Sequence, residues 1–159
     1  MGERAHGVVW IVSRLAVLAV GLVVLVAGFA KAQDVGWFVG VLEEHQRLPA
    51  PLVGPAAIAV CAAEIAIGVL AVRGVLARSS RLPGVMLGML FLAFTLYSAW
   101  MSIDPPPGPV SCGCGVSRAG AESWTMLTVR NGVIAAACAG AGCIGKASGT
   151  SWMARASDG

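Results

Sequence analysis

Cys112 and Cys114 stand one residue apart in the run Cys112-Gly113-Cys114-Gly115. Two thiols at this spacing make a weak staple. In the chain-entropy account, a disulfide closing a loop of about three residues gains about 1.6 kcal/mol, roughly half the gain from a fifteen-residue loop. So tight a ring is prone to strain, and strained, exposed disulfides tend to be the labile or catalytic ones. The pair therefore reads as a redox couple. Its attacking species is a thiolate, favoured by positive charge from Arg118 or Arg130. Gly113 and Gly115 supply the backbone freedom that a small ring needs. Two other readings stay open: an inert disulfide, or half of a metal site, since soft thiolates bind zinc or copper(I). A closed zinc site takes four ligands. His45 is the only other plausible donor on the same side of the membrane, so no metal is assigned.

The remaining chemistry-bearing residues have apolar surroundings. Glu64 lies near the middle of a greasy run, where an acid costs about 2.5–3.5 kcal/mol. An acid so placed faces a bundle interior and is paired or protonated. Lys31 and Arg130 are its candidate partners. Glu64 could carry a proton during thiol oxidation, or meet a polar headgroup or a quinone; an interhelical hydrogen bond is the plainer alternative. Lys31 by itself reads as a snorkelling residue, and Arg130-Asn131 opens the last apolar run. Tyr97 and Ser98 read as core, or as the lining of a cavity. Cys61, Cys138 and Cys143 read as small core hydrophobes; Cys61 and Cys138 would meet if the second and fourth spans packed together.

The elements that must position these residues are membrane helices. The chain is 57% hydrophobic and 12% charged, about half the charged fraction of a soluble domain. Its apolar residues come in four blocks, at about residues 9–30, 52–72, 82–103 and 124–144, each able to cross a bilayer. The fold class is an all-α, antiparallel four-helix membrane bundle. One membrane domain covers residues 1–145, and a disordered tail covers 146–159. The first block is read as a span rather than a cleavable leader, although Ala30-Lys31-Ala32 has a small-x-small form. Between the first two spans, Trp37, Phe38, Val41, Leu42 and Leu48 fall roughly on one face opposite Glu43, Glu44 and Arg47, as in a short helix lying in the interface. The stiff run Asp104-Pro105-Pro106-Pro107-Gly108-Pro109 leads into the cysteines.

Charge sets the orientation. Seven Lys and Arg residues fall on the side of the termini and the second loop, and four on the other side. The positive-inside rule places both termini in the cytoplasm and the Cys112–Cys114 loop outside the plasma membrane, where disulfides persist. The net charge of +3 is spread over membrane flanks with no aromatic-interleaved patch, so nucleic acid is not a partner.

Together these residues resemble the MauE/DoxX-like family of small redox-associated membrane proteins. The resemblance rests on Ala27-Gly28-Phe29-Ala30-Lys31, Phe38 with Leu48-Pro49, Glu64 with Gly68 and Leu70, the Cys112–Gly115 motif, and Arg130-Asn131. It runs from about Arg14 to Ile144. Gly115-Val116 stands where the family's motif usually has an aromatic and then a glycine. The resemblance implies help in maturing an exported, disulfide-rich client, as for the small subunit of methylamine dehydrogenase, together with a thioredoxin-like partner outside the cytoplasm.

The expected function is thus that of a membrane thiol–disulfide oxidoreductase with Cys112 and Cys114 as catalytic residues and Glu64, Lys31 and Arg130 in support. No tightly bound cofactor is expected; a quinone is a possible electron carrier. The alternative is a non-catalytic assembly factor or metal-handling subunit. A solute transporter fits less well, since neither repeat symmetry nor charge pairs within the spans are visible.

Overall fold

A computed structural model describes residues 3–77, 81–106 and 123–144. These residues form five α-helices: α1 (Glu3–Gln33), α2 (Val35–Glu44), α3 (Ala50–Leu76), α4 (Arg81–Ile103) and α5 (Trp124–Ile144). Three are long and apolar enough to cross a membrane, over Gly7–Gln33, Ala50–Leu76 and Arg81–Ile103. At 1.5 Å per residue, 27 residues reach about 40 Å, more than a bilayer's hydrocarbon core. The fourth expected span coincides with α5, but Thr125, Thr128, Arg130 and Asn131 dilute the apolar character of its first two turns. α1 and α3 extend past the expected spans because polar residues such as Gln33 and Arg73 continue the helices beyond the apolar blocks.

The helices pack mainly as two antiparallel pairs, α1 with α3 and α4 with α5. Small residues set both. A Cβ at Gly21 would lie 2.7 Å from the Ala71 Cβ, and one at Gly68 would lie 2.7 Å from the Leu25 Cβ and 2.9 Å from its backbone. In the second pair, a Cβ at Gly84 would lie 2.8 Å from the Cys138 carbonyl oxygen. Such contacts let backbones approach closely, the main source of helix affinity in lipid. The pairs meet in a core of Val17 and Val24 from α1, Ala71 and Val75 from α3, Leu87 and Phe91 from α4, and Ala135, Cys138 and Ala141 from α5. Val8, Ile11, Leu15, Ile58, Met89, Leu96 and Val133 point outward, as suits lipid contact.

The connection from α1 through α2 to α3 is closely specified. Asp34 caps α2, its Oδ1 accepting from the Trp37 N–H at 3.0 Å. After His45, Gln46 adopts φ 53°, the left-handed conformation that commonly closes a helix. Pro49 then precedes α3, and Pro51 sits in its first turn, where a missing N–H costs nothing. At the far end, Arg14 donates to the Val75 carbonyl in the last turn of α3 and stacks on Trp10 at 4.5 Å.

Two details of the expected short helix need correction. The apolar face of α2 does not rest mainly on lipid: Phe38 and Val41 are buried against Ala57 and Cys61 of α3, because the tight turn at Asp34 folds α2 back onto the protein. The helix also ends before Leu48, which is exposed. Cys61 and Cys138 do not meet. Cys61 packs under α2, Cys138 lies in the central core, and both are free thiols. The pairing of α1 with α3 and of α4 with α5 leaves α3 and α5 without packing contact among the described residues.

The glycine contacts give a direct test. Gly68→Val should destabilise the protein by about 1–3 kcal/mol through overpacking. Gly54→Ala, at a site with nothing within 4 Å, should be neutral or slightly stabilising. Thermal unfolding in detergent distinguishes the two.

Candidate functional site

Lys31 lies in the last turn of α1, where the helix's terminal carbonyls favour a cation. Gly28 stands one turn earlier. A Cβ there would fall 2.9 Å from the Glu64 Cβ, so the glycine lets α3 bring Glu64 against α1. The result is a buried ion pair: Lys31 Nζ donates to Glu64 Oε1 at 2.5 Å, with the two residues 1% and 2% exposed. Lys31 Nζ also lies 5.3 Å from the centre of the Phe38 ring, a cation–π distance. Glu64 Oε2 is buried and has no hydrogen-bond partner.

The pair opens onto a cavity of about 350 Å³ between α2, α3 and α4. Phe38, Leu42, Val60, Phe94, Tyr97 and Trp100 make its walls largely apolar and aromatic. His45 and Arg47, which also line it, come from the turn after α2. His45 is buried, and its Nδ1 lies 2.7 Å from the Tyr97 hydroxyl. Trp124, at the start of α5, meets His45 edge-on at 5.2 Å and Tyr97 at 6.5 Å. Arg47 donates through Nη1 to Asp104 Oδ2 at 2.7 Å and through Nη2 to the Asp104 carbonyl, and its guanidinium sits 5.3 Å from the Trp100 ring. The last turn of α4 and the first turn of α5 are thus both tied to residues that line the cavity or touch its lining.

A family model described as Methylamine utilisation protein MauE matches residues 8–147. The chain belongs to the MauE family. No curated protein and no solved structure matches it. In this MauE-family membrane protein, Cys112 and Cys114 lie outside the described residues, as does the tail from residue 146. Of the three supporting residues, Lys31 and Glu64 are brought together at the cavity floor. Arg130 is exposed on α5 and is absent from the cavity lining. Among the described residues, no group of three His, Cys, Asp or Glu side chains could hold a metal ion.

Several site residues had little signal in the sequence. In the sequence His45 reads only as a possible metal ligand, and Arg47 only as a charge on the polar face of the expected short helix. Tyr97 does line the cavity, whereas Ser98 is buried with its hydroxyl 3.1 Å from that of Thr128. Asn131 is buried with an unpartnered Nδ2; a polar residue inside an apolar block was the available clue. Of the two candidate partners of Glu64, Lys31 is the one it meets; the choice depends on helix register across 33 positions, which a single sequence does not display.

The ion pair makes a quantitative prediction. Glu64→Ala strands a buried ammonium and should cost about 3–5 kcal/mol, whereas Lys31→Met/Glu64→Leu, which removes both charges, should recover most of that loss. A double-mutant cycle on thermal unfolding in detergent measures the difference.

Proposed function

We propose that this MauE-family protein exchanges thiols and disulfides at the extracytoplasmic face of the cell membrane, supporting the maturation of an exported client. The observation that carries this reading is the Cys112-Gly113-Cys114-Gly115 motif on a connection whose two ends are tied to one cavity. The connection leaves α4 at Asp104, held by Arg47, and enters α5 at Trp124, against His45 and Tyr97. Cys112 is eight residues beyond Asp104, so chain length keeps it within about 28 Å of that anchor. Four helices then span the membrane, with α5 as the fourth, packed along α4. The excess of Lys and Arg beside the termini supports cytoplasmic ends and an outward-facing cysteine loop.

The chemistry is two-electron exchange. One thiolate of the Cys112/Cys114 pair attacks a disulfide sulfur of a thioredoxin-like partner. A mixed disulfide forms as the partner's other sulfur leaves as a thiolate. The second cysteine then attacks the protein's own sulfur in that bond and releases the partner as a dithiol. Cys112 and Cys114 end oxidised and the partner ends reduced by two electrons; the reverse sequence oxidises the partner or client. Short spacing makes the second attack intramolecular, and a strained ring is readily reopened. The work of Lys31 and Glu64 is to hold α1 and α3 in register, and so to hold the cavity to which the loop is anchored.

Cys114→Ser and Cys112→Ser should each abolish client maturation while leaving insertion intact, and one of the two should accumulate a mixed disulfide with a soluble thioredoxin-like protein. Complementation of a deletion strain, with non-reducing gels to trap the adduct, reads both. Full activity in both variants would sink the redox reading. Membrane-impermeant maleimide should label the pair in intact cells only after reduction. Absence of labelling under both conditions would reverse the orientation or bury the loop.

A further inference from the structure

The cavity floor offers an acceptor and a donor that the protein itself leaves unused. Glu64 Oε2 is buried without a partner. The Lys31 ammonium carries three donors, of which one is engaged with Glu64 Oε1. An isolated buried acceptor is costly, so a group that fills this role from outside gains more than it would at a solvated site.

The charge balance at the floor narrows the chemistry of that group. Lys31 and Glu64 already neutralise each other, Arg47 at the rim is paired with Asp104, and the walls are otherwise largely apolar. An alkylammonium or a carboxylate would bring an uncompensated charge into this space, at the cost of its hydration. A neutral hydroxyl instead donates to Oε2 and accepts from Nζ through one atom. The walls narrow it further. Phe38, Phe94, Tyr97 and Trp100 flank the space, and aromatic rings pack favourably against such surfaces in offset or edge-on geometry. About 350 Å³ is at the small end of the range for organic ligands, enough for one substituted ring and the beginning of an alkyl tail.

We propose that the cavity between α2, α3 and α4 is a binding site for the head of a neutral, membrane-dissolved aromatic alcohol, the class of alkylphenols and hydroquinones, with the ring hydroxyl seated on Lys31 and Glu64. The site uses neither Cys112 nor Cys114. Loss of this proposal would leave thiol exchange standing, and loss of thiol exchange would leave the binding site standing.

The probe is radiolabelled 4-heptylphenol, compared with 4-heptylanisole, which has nearly the same shape but no donor. The full chain is placed in phosphatidylcholine nanodiscs, and uptake by empty nanodiscs is subtracted. One saturable site per chain is expected, with the ether bound at least about tenfold more weakly, the scale of one hydrogen bond to a charged acceptor. Ala56→Trp, which fills the cavity from α3 without touching the ion pair, should remove the saturable component. Lys31→Met/Glu64→Leu, folded but uncharged, should bind phenol and ether alike. Decylubiquinol under argon should displace the phenol, and 1-dodecanol should not. Absence of saturable binding, equal binding of phenol and ether by the unmodified chain, saturable binding that persists in a folded Ala56→Trp protein, or equal displacement by 1-dodecanol would each overturn the proposal.

Discussion

The Lys31–Glu64 ion pair is the constraint around which the rest of the molecule is arranged. Each charge alone would oppose burial in lipid. Together they make a dipole that the bundle tolerates only when α1 and α3 stand in one register. Gly28 permits that register by leaving room for the Glu64 Cβ. Gly21 and Gly68 extend the close approach along both helices. Phe38 places an aromatic face near the ammonium, and its burial against α3 fixes α2. The cavity is the space that remains once these contacts are made.

A second layer of contacts converts this frame into a defined rim. His45, Tyr97 and Trp124 come from three separate stretches of chain and meet within 6.5 Å of one another. Arg47 binds Asp104 just after α4 and covers Trp100. With Asp104 open to solvent, the Arg47–Asp104 pair contributes little to stability. Its consequence is geometric, since it settles where the connection toward Cys112 begins. The rim thus joins the α1–α3 pair to the α4–α5 pair at the end of the molecule where the cysteine-bearing connection starts and stops.

The helical blocks were readable because hydropathy over about twenty residues is a strong signal. The fourth block forms the helix α5, in which Arg130 and Asn131 weaken the apolar signal. The site was readable only in part. Glu64 announced itself by its cost, and Lys31 by its place at a helix end. Their contact, and the company of His45 with Tyr97 and Trp124, depend on which helices pair, and four apolar blocks permit several pairings. Contact between Cys61 and Cys138 turned on this point: it required α3 beside α5, and α3 pairs with α1 instead. The short helix after α1 was visible as an amphipathic pattern, but the pattern does not say whether its apolar face will find lipid or protein. Asp34 settled that by turning the chain back sharply enough for Phe38 to reach Ala57.

The separation of Lys31 and Glu64 along the chain has a consequence for how the protein is made. α1 leaves the ribosome and enters the bilayer before α3 has been synthesised, and Lys31 must wait there without its partner. Its position in the last turn of α1 suits that interval, since a lysine near a helix end can extend its ammonium to the headgroups. Glu64, midway along α3, has no such refuge. It is lodged in lipid either protonated or beside a cation already in place. With the cation first, near a helix end, and the acid later, at a helix centre, the partner that neutralises Glu64 is already in the bilayer when α3 follows.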